Sequence, residues 1–261
     1  MDLMTVMGAL LGTGVIFTVL FMAGMLRFLL NPEAIILIFG GTLGSIMIAY
    51  PWEALKFSWS SMKLVVFPPK RPPISVLISS IVRMAEIARR NGLEALSPEV
   101  PRLPHPFLAD SCQMMLDGVD AEVLRERMEH DINTTRLRHQ QQSNIFSAAG
   151  TFAPIFGLLG TLVGVVQVLR NIQNPQMMGS SMAIAMTASF YGIFSANFIF
   201  LPISNKLNYY SDEDILSREI IAKGVLAVYN GDVPWLVSKK LEGYLSLALR
   251  RKARLAAAGK K

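Results

Sequence analysis

The chain has 261 residues, of which 52% are hydrophobic and only 17% are charged, and its mean hydropathy is +0.40. This composition is too apolar for an ordinary soluble domain. The net charge of +6 does not by itself indicate nucleic-acid binding, because basic residues concentrated on one side of a membrane account for it.

Four apolar blocks without charged residues predict four transmembrane helices. They run from Leu3 to Leu26, from Ala34 to Tyr50, from about Ile145 to Leu169, and between Met177 and Ser204. Each is long enough to cross a hydrocarbon core of roughly 30 Å. Because lipid offers no hydrogen-bond partners, the backbone of a spanning segment must satisfy its own hydrogen bonds, as a helix does. We therefore expect an all-α membrane protein with four transmembrane helices, and the first block, which lacks a basic n-region, to be a retained span.

The blocks divide the chain into four parts. These are residues 1–50 with two spans, 51–144 as a large polar loop, 145–204 with two spans, and 205–261 as a polar tail. All but two of the 25 lysines and arginines lie in the loop and the tail. The positive-inside rule then places the loop, the tail and both termini in the cytoplasm.

Both polar parts are predicted to be helical. In the loop, residues 75–91 have amphipathic periodicity and end at Gly92, and a second helix lies near 107–116. Asp120 is a favourable N-cap for a third helix. Because no proline occurs from residue 107 to residue 153, this helix can run unbroken into the third span. In the tail, helices are expected near 212–229 and from Pro234.

Several candidate sites are set aside. His105, His130 and His139 have no metal-ligand spacing, and no phosphate-binding glycine loop occurs, so we expect no permanent metal, no cofactor, no enzyme activity and no nucleic-acid partner. Cys112 is interpreted as a small buried hydrophobic residue rather than a reactive thiol. The basic cluster at 250–254 either binds anionic lipid headgroups weakly or is a frayed terminus.

No Asp, Glu, Lys, Arg or His occurs within any of the four apolar blocks. Proteins that move ions across membranes usually carry such a group at depth. If this protein takes part in ion transport, another chain must supply the titrating acid.

The third and fourth spans nevertheless carry unusual residues. Pro154 frees a backbone carbonyl near Gly150. The third span has a face of small residues, formed by Gly157, Gly160, Thr161 and Gly164. The fourth span has several polar side chains, Thr187, Ser189, Ser195 and Asn197, and these are followed by Pro202. Small residues let membrane helices pack closely, which is the commoner role, but hydroxyl and carbonyl oxygens also suit a small cation.

The most specific of these stretches resemble a known family. They are APIFGLLGTLVGVVQVL in the third span, MAIAMTASFYGIFSANFIFLPISNKL in the fourth, and NPEAIILIFGGTLGSIM leading through the second. RRNGLEAL in the loop and NGDVPWLVSKKLEGYL in the tail fit as well. The chain is similar over nearly its whole length to the MotA/PomA family, the A subunits of the bacterial flagellar stator, and looks most like the PomA-like members.

The resemblance implies a particular assembly. Family members form a ring of five A subunits around two B subunits of the MotB/PomB type in the bacterial inner membrane, surrounded by lipid. The B subunit brings the membrane aspartate and a peptidoglycan-binding domain. Flow of H⁺ or Na⁺ past that aspartate turns the ring, and the loop of the A subunit acts on the rotor protein FliG.

The resemblance also assigns residues to the ion pathway and to helix kinks. Pro154 and Pro202 match the two family prolines, and Thr161 matches a threonine typical of sodium-type stators, with Gly157 on the same ion-facing wall. The adjacent threonines of sodium-type members fall at Ala188 and Ser189, just after Thr187. Because one hydroxyl is missing at Ala188, the resemblance favours sodium over protons only slightly.

Rotor contacts are implied in the loop. Arg89 and Arg90 match the family's basic pair, whereas the acidic position falls at Ser97, with Glu94 and Glu99 on either side. For each of these residues taken alone, the alternative to a rotor contact is a charged side chain that is simply solvated on the helix surface. Two other functions remain open: an ExbB/TolQ-like energiser of outer-membrane transport or gliding, a class that usually has three spans, and a purely structural membrane scaffold.

Overall fold

The computed structural model describes residues 3–24, 26–29, 31–68 and 71–244, and these ranges are helical with no β-strand. The chain divides into two compact units. We name residues 1–69 and 138–210 the membrane unit, and residues 70–137 and 211–261 the polar unit. The all-helical fold class is thereby confirmed. The basic cluster at 250–254 lies outside the described residues.

The membrane unit begins with four helices. They are α1 (Leu3–Met22), α2 (Leu26–Leu29), α3 (Pro32–Ala49, with a π-helical turn at Ile36–Gly40) and α4 (Trp52–Val66). Asn31 caps α3, since its side-chain oxygen accepts hydrogen bonds from the backbone N–H groups of Glu33 at 3.0 Å and Ala34 at 3.3 Å. This cap and Pro32 start the helix two residues before the predicted apolar block.

The rest of the described chain forms six helical segments. They are α5 (Ile74–Asn91), a 3₁₀ helix (Leu93–Arg102), α6 (Pro106–Leu116), α7 (Ala121–Arg170), and α8 (Pro175–Tyr229, with a π-helical turn at Ala196–Phe200), followed by α9 (Pro234–Glu242). Four helices among the described residues, α1, α3, α7 and α8, are long and apolar enough to cross a membrane. Helices α7 and α8 each contribute to both units.

Neither family proline ends its helix. Helix α7 runs unbroken for 50 residues through Pro154, starting where Asp120 accepts a hydrogen bond from the N–H of Glu122 at 2.9 Å. In α8, the N–H of Leu201 bonds to the carbonyl of Ala196, five residues back, immediately before Pro202. This π-helical turn offsets the hydrogen-bond ladder where proline lacks a donor. The helix predicted near 212–229 ends at Tyr229 as predicted but does not begin at 212, because that segment is the end of α8.

The polar unit has its own hydrophobic core. Helices α5, α6, α7, α8 and α9 contribute its buried residues, which include Leu77, Ile81, Met84, Leu108, Cys112, Leu124, Met128, Ile220, Ile221, Val225 and Leu241. Gly92 and Gly118 end α5 and α6 with φ of 83° and 78°, which an L side chain rarely adopts. Burial raises the pKa of Cys112 to about 12, so its thiol stays protonated, as expected of a buried hydrophobic residue.

A charge cluster borders this core. The Arg218 guanidinium donates to Asp214 at 3.0 Å and to Asp131 at 2.7 Å, and it lies 5.0 Å above the Phe107 ring. Arg71 lies 3.6 Å from Asp214. Arg218 thus joins α7 and α8 through charge-assisted hydrogen bonds, which are stronger than neutral ones, and contacts α6 through a cation–π interaction.

His105 connects this cluster to a helix end. It is buried and caps α6, with its Nδ1 accepting the N–H of Phe107 at 3.2 Å. Burial lowers the pKa of the imidazole; Asp214 opposes this effect, while Arg218 and Arg71 add to it. Protonation at Nδ1 would remove the cap and add a third cation beside two arginines.

Acidification is therefore expected to destabilise the protein through His105. Its folded pKa lies below its unfolded value of roughly 6.5, so the unfolded chain binds the extra proton, and stability falls as pH drops below that value. Thermal unfolding at several pH values between 8 and 5 measures this loss. His105→Asn keeps an N-cap acceptor without titrating and is expected to flatten the pH dependence; an unchanged profile would exclude His105 as its cause.

Candidate functional site

Helices α7 and α8 pack closely in the membrane unit along two stripes of small residues. A Cβ added at Gly157 would lie 3.2 Å from the carbonyl oxygen of Ala188, and one at Gly164 would lie 2.5 Å from the Cβ of Ala185. A Cβ added at Gly160 would overlap Ala188. The glycine face predicted on the third span is therefore a helix-packing surface.

The closest backbone approach is at Gly192 of α8. A Cβ added there would lie 2.7 Å from the carbonyl oxygen of Ala153, 3.0 Å from the Cα of Gly157 and 3.2 Å from the Cα of Pro154. The sequence analysis did not single out Gly192. Small residues at 181, 185, 188 and 192 have the spacing of one helix face, and this spacing would have identified it.

Gly157 thus lies in the contact between the two helices and is buried there. Its position next to Pro154 and Gly192 places the proline turn at the crossing of α7 and α8. Two of the three predicted pathway residues of α7, Pro154 and Gly157, therefore lie where the helices approach each other most closely.

Helix α3 packs along one edge of this helix pair. A Cβ added at Gly160 would lie 3.2 Å from the side chain of Leu37, and Ala34 and Ile38 cluster with Ala153 and Ala188. Residues on the other edge of the pair do not face α3. Hydroxyl groups on the same edge of the α7–α8 pair can belong to one ion site, whereas hydroxyl groups on opposite edges cannot.

Thr161 and Ser189 lie on the edge away from α3. Successive helical residues are rotated by about 100°, so Thr161 turns away from the side on which Gly160 meets Leu37. Both side chains are half-buried. The Thr161 hydroxyl donates to the carbonyl of Leu158 at 2.6 Å, whereas the Ser189 hydroxyl has no hydrogen-bond partner within the described part of the chain.

Thr187 lies on the opposite edge. It is two residues from Ser189, which is about 200° around the helix. It is buried and donates to the carbonyl of Ala183 at 2.8 Å. Tyr191, one turn further on the same face, donates to the carbonyl of Leu29 before α3. The structure therefore does not bring Thr187 together with Thr161 and Ser189.

Two further polar residues of the fourth span, Ser195 and Asn197, bond within their own helix. The Ser195 hydroxyl donates to the carbonyl of Gly192 at 3.2 Å, and the Asn197 amide donates to that of Ile193 at 2.9 Å. Pro202 follows the π-helical turn and is exposed. No cluster of three His, Cys, Asp or Glu side chains suited to a metal ion occurs in the ranges that the structure describes.

The predicted rotor-facing charges lie in the polar unit. Arg89 and Arg90 end α5, are exposed, and form no ion pair with any residue described by the structure. Glu94 is also exposed. Glu99 accepts a hydrogen bond from Arg83 at 3.0 Å, so it is already paired within the unit.

Comparisons with known proteins agree with this arrangement of helices. Residues 100–220 match the model of the MotA/TolQ/ExbB proton channel family. "Chemotaxis protein PomA" of Vibrio alginolyticus is 32% identical over 246 residues, covering 94% of this chain and 96% of that protein. "Motility protein A" of Bacillus subtilis is 33% identical over 217 residues, covering 83% of this chain and 80% of that protein.

Solved structures give the same result. A chain of the flagellar MotAB stator complex from Bacillus subtilis superposes with a TM-score of 0.86 at 31% identity, covering 96% of this chain and 98% of that chain. A chain of MotAB from C. jejuni has the same TM-score of 0.86 at 24% identity, over 95% of this chain and 97% of that chain, and supports the fold. These relatives are motor subunits and not enzymes. The chain belongs to the MotA/PomA family of flagellar motor stator subunits.

Proposed function

We propose that this chain joins a MotB/PomB-type subunit in an ion channel that converts ion flow into torque on the flagellar rotor. The observation that carries the proposal is a tightly packed pair of membrane helices, α7 and α8, with hydroxyls on one edge and no Asp, Glu, Lys, Arg or His in either predicted span. Since ion translocation needs a titrating or charged group at depth, the partner supplies it. The similar Bacillus subtilis chain comes from a MotAB complex.

The proposed assembly is a ring of five copies around two B subunits in the bacterial inner membrane. Nearly all basic residues lie in the loop and the tail, which favours a cytoplasmic polar unit and cytoplasmic termini. The four membrane helices count against the ExbB/TolQ-like alternative, although the matching family model includes that class.

Sodium is the proposed coupling ion. Thr161 and Ser189 share an edge, and the Ser189 hydroxyl has no hydrogen-bond partner in the described chain, so its oxygen is available to a hard cation. The test is swimming of a stator-deleted host carrying this chain and its B subunit, with sodium replaced by potassium. If the cells swim in the sodium medium but not in the potassium medium, the result supports sodium as the coupling ion. Equal swimming in both media would assign protons instead.

Torque is proposed to pass to FliG through the end of α5. Reversing both Arg89 and Arg90 to Glu is expected to reduce stall torque severalfold while leaving ion flow unchanged, because both side chains are exposed and belong to the polar unit. Tethered-cell torque and ion flow are measured together. Arg127→Glu, an exposed charge reversal on α7, serves as the matched control. Unchanged stall torque in the double variant would rule out this contact.

A further inference from the structure

An apolar groove of about 460 Å³ lies in the membrane unit. Its walls come from the end of α3, the start of α4, and the parts of α7 and α8 that face them. The main wall residues are Leu43, Met47, Leu55, Phe146, Ala149 and Phe200. Leu43 and Met47 are more than half exposed, at 58% and 55%, although they belong to a membrane helix. This surface is open in the single chain.

Polar side chains occur at one end of the groove only. Lys56 and Ser58 line it beside Trp52. The Ser58 hydroxyl donates to the carbonyl of Ala54 at 2.9 Å, so Lys56 is the group left to meet a ligand there. Lys63, seven residues further along α4, lies on nearly the same helix face and adds positive charge.

The groove has room for part of a lipid chain. On α3 it is lined from Leu43 to Met47, a rise of roughly 6 Å. Helix α4 exposes large apolar side chains, Trp52, Phe57 and Leu64, together with Lys56 and Lys63. Such a helix lies in the membrane interface, where tryptophan and lysine are also favoured.

We propose that this groove binds one acyl chain of an anionic phospholipid, with the lipid phosphate held by Lys56. The occupant must be apolar along the groove and negative at the interfacial end, and basic pockets beside membrane helices select acidic headgroups in this way. The acyl chain of a zwitterionic lipid fits the same walls, but its headgroup has a weaker electrostatic attraction to Lys56. The site is separate from the α7–α8 edge that carries Thr161 and Ser189, because α3 packs on the other edge.

Tryptophan quenching by brominated lipids tests the proposal. The full-length chain, with Trp59→Phe and Trp235→Phe so that Trp52 is the remaining tryptophan, is reconstituted in bilayers. Brominated phosphatidylglycerol and brominated phosphatidylcholine with identical acyl chains are compared. About 1 kcal/mol per lysine near an anionic surface predicts roughly fivefold tighter association of phosphatidylglycerol.

Lys56→Gln is expected to bring that ratio close to one, while Lys239→Gln in the polar unit leaves it near fivefold. Lys56 is exposed, so the variant should fold, and far-ultraviolet circular dichroism checks this. Equal quenching by the two lipids in the unmodified site, or a preference that survives Lys56→Gln, would overturn the headgroup assignment. Trp52 shielded from both lipids would overturn the site altogether, because a second copy or a partner helix then covers the groove.

Discussion

Gly192→Ala is expected to abolish swimming and to destabilise the membrane unit by about 1–3 kcal/mol, the usual cost of overpacking. The added methyl would lie 2.7 Å from the carbonyl oxygen of Ala153 and 3.0 Å from the Cα of Gly157. Both are backbone atoms, so α7 and α8 must separate to admit it. Because the crossing includes Pro154, the separation also displaces the proposed ion-pathway edge. Thermal unfolding in detergent and swimming speed measure the two effects.

Gly179→Ala is the matched control on the same helix. A Cβ at Gly179 meets no atom within 4 Å, so the same substitution adds a methyl without a clash. Alanine also favours a helix over glycine, so stability is expected to hold or to rise slightly. Equal effects of the two substitutions would show that the close approach at Gly192 does not matter.

Thr161→Ala combined with Ser189→Ala is expected to lower ion flow at least tenfold and to impair swimming. Each removes a hydroxyl from the same edge of the α7–α8 pair. A hydroxyl ligand worth about 1–1.5 kcal/mol corresponds to roughly a tenfold change in ion affinity. Ion flow is measured in vesicles that contain this chain and its B subunit, across a range of sodium concentrations.

Thr187→Val is the control for this pair. It removes a hydroxyl of the same span on the opposite edge, where Thr187 bonds to its own helix, and it preserves the side-chain shape. Sodium dependence close to the wild type is expected. If Thr187→Val impairs ion flow as much as the double variant does, the assignment of the pathway to one edge is wrong.

The spans were predictable because apolar length and charge placement are local properties of the sequence. The start of α7 at Asp120 and the end of α5 at Gly92 were predictable for the same reason, since a capping side chain and a left-handed glycine act within a few residues. The continuity of α8 was missed. Proline usually kinks or breaks a helix interior, and the π-helical turn that accommodates Pro202 has no simple sequence pattern.

The candidate site was predictable in its residue types but not in its arrangement. Prolines, glycines and hydroxyls were found, yet which hydroxyls share an edge depends on where α3 packs, and this is a tertiary contact. The sequence analysis therefore grouped Thr187 with Ser189. The pairing of Glu99 with Arg83, sixteen residues apart, was hidden for the same reason.

The most direct test of the account is ion flow into vesicles containing this full-length chain, with and without its B subunit. Because no predicted span carries an Asp, Glu, Lys, Arg or His side chain, the chain alone is predicted to conduct no ions, and the two chains together are predicted to conduct. Ion flow through the chain alone would contradict the claim that another subunit supplies the titrating group.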